Sequence, residues 1–98
     1  MEKIIIEVDK NFEKELNDAV ISSKDEIVIV NTNKFEGIGE IIQAMVVLGG
    51  VTIPIIGKII IEAIRSKKHV VIKKKGFIVS GISEKNAVQI LKDLSHGD

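Results

Sequence analysis

Glu36 and Glu40 stand four positions apart, a spacing that sets two carboxylates on one helix face and, in an active site, divides general acid from general base. No other reactive group is spaced to assist them, and negative charge in a first helical turn complements the helix dipole. The pair therefore reads as a solvated helix entry. His69 and His96 are the only histidines; far apart and without cysteine, they form no zinc motif. Gly37 and Gly39 frame a Gly-Ile-Gly between an apolar run and a helical pattern, the start of a phosphate-binding turn. Ile42 stands where the third glycine would fall, and no Walker lysine with its Ser or Thr follows. Ser22, Ser23, Ser66, Ser80 and Ser83 lack a nucleophile motif. The expectation is a chain without catalysis, metal or cofactor.

The remaining chemistry is cationic. Arg65, Lys67 and Lys68 close one helical pattern, and Lys73, Lys74 and Lys75 follow within a few residues, so the two groups converge if a hairpin folds between them. They are the candidate partner-binding residues. Nucleic-acid recognition normally adds aromatic stacking platforms, and only Phe77 lies nearby, so a protein partner is expected rather than RNA or DNA. The competing reading is a solvated lysine-rich hairpin that discourages edge pairing. Residues 1–57 hold five basic and ten acidic side chains, and residues 58–98 hold nine and four. The net charge of zero thus conceals halves of about −5 and +5, which either present polarised surfaces or neutralise each other on folding.

Ninety-eight residues fit one domain around a single core. Aromatics are confined to Phe12, Phe35 and Phe77, so that core is built from aliphatics. The absence of cysteine fits a reducing compartment, the cytoplasm by default, and Met1 to Val8 does not read as a secretory signal.

Elements must position these residues. Ile4 to Val8 is a β-branched run of strand length. Asp9 is a helix cap before Phe12, Leu16, Ala19 and Val20, which make an amphipathic stripe. Ile27 to Val30 reads as a central strand and Asn31 to Gly37 as a loop. Ile38, Ile41, Ile42, Met45 and Leu48 then share one helical face, until Gly49 and Gly50 interrupt. Thr52 caps a second helix carrying Ile56, Ile59, Ile60, Ala63 and Ile64. Val70 to Ile72 and Phe77 to Val79 form a hairpin, and Ser83 caps a last helix with Ala87, Val88, Leu91 and Leu94 buried. The predicted order is β-α-β-α-α-β-β-α: a small α/β domain with a mixed four-stranded sheet packed by helices.

Ile41 to Gly57 is seventeen residues without a charge. As helix it would rise about 26 Å, slightly short of a hydrocarbon core. Gln43, Thr52, the glycine pair and Pro54 break it near its centre, which favours a buried helical pair. The alternative is a membrane-active protein whose helical pair, about 38–66, inserts through residues 41–61. Surplus apolar surface would also serve docking or homo-oligomerisation.

The layout resembles that of the effector-associated constant component family, small bacterial domains encoded beside effectors of biological conflict systems. The resemblance covers about residues 3–80. It rests on the strand-helix-strand opening, the aliphatic helix Ile41 to Leu48 running into Gly49 and Gly50, the second aliphatic helix ending in Arg65, Ser66, Lys67 and Lys68, and Val70 to Ile72 with its hairpin partner. Ala63 and Ile64 stand where the family tends to carry a tryptophan. The resemblance implies an adaptor or signal-transfer role beside an effector, without catalysis, and transfers no site residue.

Overall fold

A computed structural model of the chain describes residues 2–23, 25–35 and 39–96, with side chains in 2–23, 25–30 and 39–96. Strand β1 is Lys3–Asp9; Ile4, Ile6 and Val8 are buried on one side and alternate with Ile5, Glu7 and Asp9. The Asp9 carboxylate accepts from the Asn11 amide at 2.8 Å and caps a 3-10 turn, Lys10–Phe12, that leads into α1, Glu13–Ser22. Phe12, Leu16 and Ala19 form the buried stripe that their spacing predicts.

Strand β2 is Ile27–Phe35, longer than the four-residue run expected, with a bulge between Ile29 and Asn31. The next element overturns the reading of a helix over 38–48. Gly39–Val47 is a strand, β3, paired antiparallel on one side with β2 and on the other with β1. Ile42, Ala44 and Val46 are its core-facing series, a period of two, and Ile41 on the other face is buried as well. A nearly unbroken apolar run satisfies helical and strand periods alike, and here β-branched residues with a partner strand on each side settle the matter. Of the residues read as chemistry, Glu36 and Gly37 lie outside the described residues; Glu40 sits in β3 and pairs with Lys10 at 2.7 Å.

Helix α2 is Thr52–Arg65. Thr52 works on the turn before it rather than as the N-cap, which is Val51. Its hydroxyl donates to the Val47 carbonyl at 2.7 Å and accepts from the Gly49 amide at 2.9 Å. At the other end the Lys68 amide bonds to the Ala63 carbonyl and the Lys67 amide to Ile64, with Lys67 at φ 56°. This is a Schellman ending in which a lysine occupies the left-handed position that glycine favours. Strands β4, Val70–Lys74, and β5, Phe77–Val79, form the expected hairpin. Its two-residue turn, Lys75 and Gly76, has φ positive at both positions, as a primed turn requires. Helix α3 is Ala87–Ser95.

The sheet has five strands in the order β2-β3-β1-β4-β5, and every neighbouring pair is antiparallel. This corrects the expected mixed four-stranded sheet, because converting the first helix of the pair to β3 adds a strand. β3 intervenes between β1 and β2, and β1 between β3 and β4, so strands joined through a helix are parallel but not adjacent. This is the split β-α-β double unit of ferredoxin-like topology, extended by β5 and α3. Ile4, Ile6, Val8, Ile42, Ala44, Val46 and Ile72 meet residues of all three helices in one core. The helices therefore cover a single sheet face.

The helical pair required for membrane insertion is absent, its first member being β3, and no helix among the described residues is long and apolar enough to cross a membrane. Ile53, Ile56, Ile59 and Ile60 point instead into the core.

Candidate functional site

The sheet face turned away from the helices is where the fold leaves chemistry uncovered. Strand alternation assigns Lys3, Ile5, Glu7, Asp9, Ile41, Gln43, Met45, Val47, Val28, Val71, Lys73 and Ile78 to it, of which Ile41 is 1% exposed. Val28, Met45, Ile5, Lys73 and Ile78 are successive cross-strand partners, a single row crossing all five strands. Val28 is 45% exposed, Val30 48% and Ile78 66%, while Ile5, Met45, Val47 and Val71 are half-buried. No described element covers them.

One row further along lies a polar cluster centred on Glu7, which is only 7% exposed. Its direct partners are Gln43 on β3 and Val71 on β4. His69 and Lys73 stand two residues to either side of Val71, so both reach diagonally to the same carboxylate. His69 Nε2 lies 2.8 Å from Oε1; Gln43 Nε2 donates to Oε2 at 2.7 Å, and Lys73 Nζ stands 2.9 Å from Oε2. Burial pushes the Glu7 carboxyl up, but the bonds from His69, Lys73 and Gln43 outweigh it and hold the group below its ordinary value. Glu7 is therefore an ionised carboxylate with both oxygens engaged.

A carboxylate that orients an imidazole is one half of a catalytic triad. Here Lys73 and Gln43 share that carboxylate, and no described nucleophile is bonded to His69. Among the described residues no group of three or more His, Asp or Glu side chains could hold a metal. The cluster's chemistry is charge compensation: it neutralises the most buried carboxylate of the face.

The cationic residues singled out in the sequence are dispersed by the fold. Arg65 donates from Nε and Nη2 to Glu84 Oε1 at 3.0 and 2.8 Å. Lys73 belongs to the Glu7 cluster. Lys74 Nζ lies 2.9 Å from Glu2 and donates to the Leu94 carbonyl at 2.7 Å, tying β4 to the end of α3; Lys75 stands 3.6 Å from the same Glu2 oxygen. The hydrogen bond from Lys74 holds the Glu2 carboxyl below its ordinary value. Lys67 and Lys68 are exposed and have no ion pair among the described residues. The acidic first half and basic second half thus meet in the sheet, through Glu2 and Glu7 on one side and Lys73, Lys74 and Lys75 on the other.

Sequence reasoning missed Glu7, Gln43 and His69 as a unit. The one local signal was a glutamate inside a strand otherwise made of isoleucine and valine. Its partners lie 36 and 62 positions away, and only pairing register brings them to it. Comparison with family models, curated proteins and solved structures found no match.

Proposed function

We propose that this chain is a non-enzymatic protein-interaction module, an adaptor, that receives a protein partner on its uncovered sheet face. The observation that carries the reading is the exposure of Val28 and Ile78 beside Ile5, Met45, Val47 and Val71, on the side opposite every helix. A solvent-facing side of an antiparallel sheet ordinarily alternates to polar residues; this one mixes Lys3, Glu7, Asp9, Gln43 and Lys73 with a row of Val28, Met45, Ile5 and Ile78 that only Lys73 interrupts. Its central carboxylate is compensated from within, so association removes apolar surface from water without stranding a bare charge. The row from Val28 to Ile78 crosses four strand spacings, about 19 Å, enough to seat a partner helix or strand pair.

The resemblance to the effector-associated constant component family makes an effector protein of a bacterial conflict system the natural partner. What supports that extension is the aliphatic α2 with its basic end, followed directly by a β-branched strand. The aliphatic helix 41–48 on which the resemblance also rested is instead the strand β3, and it lends the extension no support.

The test uses the full chain, tagged and expressed in its native host, beside a Val28→Lys/Ile78→Lys variant. Both positions are exposed, so the variant should fold. The expected result is a stoichiometric protein partner recovered with the parent and lost with the variant, and slowed amide exchange in β1, β3 and β4 of the reconstituted complex. Undiminished capture by the variant, or protection confined to the helices, would remove the sheet face from the reading. Self-association of the purified chain, lost in the variant, would assign the face to a second copy instead.

A further inference from the structure

The helical side carries an independent feature. Arg65 meets Glu84, while Gly57 faces Val88 and Leu91, so α2 and α3 run antiparallel. Gly57 lets them approach: a Cβ there would stand 3.0 Å from Val88 Cγ2. Between their outer surfaces lies a groove of about 590 Å³, with Ile53, Pro54, Ile61 and Val88 as its apolar lining. It runs from Gly50, in the turn before α2, along that helix to Arg65; α2 itself rises about 20 Å. Its volume falls within the range of roughly 300–1,000 Å³ typical of small-molecule sites.

The charged groups are distributed unequally along it. Arg65, at one end, is held by Glu84. Lys58 and Lys92 also line the groove and have no ion pair among the described residues. Because Val88 sits over Gly57 and the helices are antiparallel, Lys92, one turn beyond Val88, lies toward the Pro54 to Lys58 turn of α2. Lys58 thus stands midway along the groove and Lys92 toward its Pro54 side, which leaves the stretch over Ile61 and Val88 between Lys58 and the Arg65 end as the apolar trough. Glu62 is the acidic lining residue, and it disfavours ligands carrying several negative charges. No aromatic ring or side-chain hydroxyl or amide lines the groove to recognise a sugar or a base.

We propose that this groove binds a long-chain carboxylate, a free fatty acid, with its single negative charge between Lys58 and Lys92 and its acyl chain running from there over Val88 and Ile61. Apolar burial supplies the affinity, and the two ammonium groups fix which end of the ligand lies where. The site is separate from the sheet face, and the two assignments stand or fall independently.

The test is an amide NMR titration of the full chain with decanoate below its micellar concentration, and with decanol and acetate as separate probes. Decanoate should shift amides of α2 and α3 and leave β1, β3 and β4 in place. It should bind about tenfold tighter than decanol, a difference of about 1.4 kcal/mol, and acetate should not bind detectably. Lys58→Gln/Lys92→Gln, both solvent-exposed positions, should keep the parent spectrum and bring decanoate down to the decanol affinity. Lys67→Gln/Lys68→Gln should leave the preference intact. Equal binding of decanol and decanoate by the parent, a preference that survives Lys58→Gln/Lys92→Gln, or shifts confined to the sheet face would each overturn the proposal.

Discussion

Replacing Glu7 by glutamine keeps the shape of the side chain and removes its charge, which isolates what the carboxylate contributes to the sheet. Hydrogen bonds to charged groups are worth about 1.5–3 kcal/mol each, and Glu7 accepts from Gln43 and engages His69 and Lys73. An amide oxygen in the place of Oε2 retains Gln43 and Lys73, and its nitrogen can face His69, which accepts in its other tautomer. Most of the bonds are thereby remade, and the loss is the attraction for Lys73 plus the weakening of each bond. Lys73 is 39% exposed in its side chain, so water screens part of that attraction. The expected destabilisation is about 2 kcal/mol, a fall in melting temperature of about 8–16 °C for a domain of this size. The folded carboxyl is held below its ordinary value near 4.5. Its contribution is therefore complete above that pH and lost as pH falls through the folded value. Urea unfolding of parent and Glu7→Gln should show the full gap at about pH 7 and a gap that closes as the carboxyl is protonated in acid. A gap below about 0.5 kcal/mol at neutral pH, or one that persists undiminished in acid, would refute the charge-compensation argument.

Thr52→Val should cost about 2 kcal/mol in denaturant unfolding, because it strands the Val47 carbonyl and the Gly49 amide in a fully buried site, whereas Thr52→Ser should cost much less. Lys67→Gly should stabilise by about 1 kcal/mol, since it relieves a left-handed lysine at the end of α2, and a loss of stability would contradict the Schellman assignment. Gly57→Val should lose about 1–3 kcal/mol by wedging α3 away from α2. In Gly57→Ala the gain in helix propensity of about 1 kcal/mol offsets the tight Val88 contact and leaves the midpoint nearly unchanged. A Gly57→Val variant as stable as the parent would show that the helices do not need this close approach.

Local chemistry was enough to place β1, α1, α2, the β4–β5 hairpin and α3 in the sequence. Each has a signature that its own residues complete. Ile4, Ile6 and Val8 alternate; Phe12, Leu16 and Ala19 recur at helical spacing; Lys75 and Gly76 suit a primed turn; Arg65 to Lys68 ends a helix. The single core built from aliphatics was equally legible, because only three aromatic residues were available to fill it. The segment Gly39–Val47 was not legible, since its almost continuous apolar character fits either period. It becomes a strand because β1 and β2 stand on either side to take its backbone hydrogen bonds, a condition no local window contains. From that one change follow the fifth strand, the antiparallel sheet and the uncovered sheet face. The lysine run reads from the sequence as free charge, yet register sets Lys73 against Glu7 and draws Lys74 to Glu2 and the end of α3. Sequence by itself thus determined which segments are apolar and where the chain turns. Tertiary structure decided which charges are compensated and which apolar side remains open, because both depend on pairings between residues tens of positions apart.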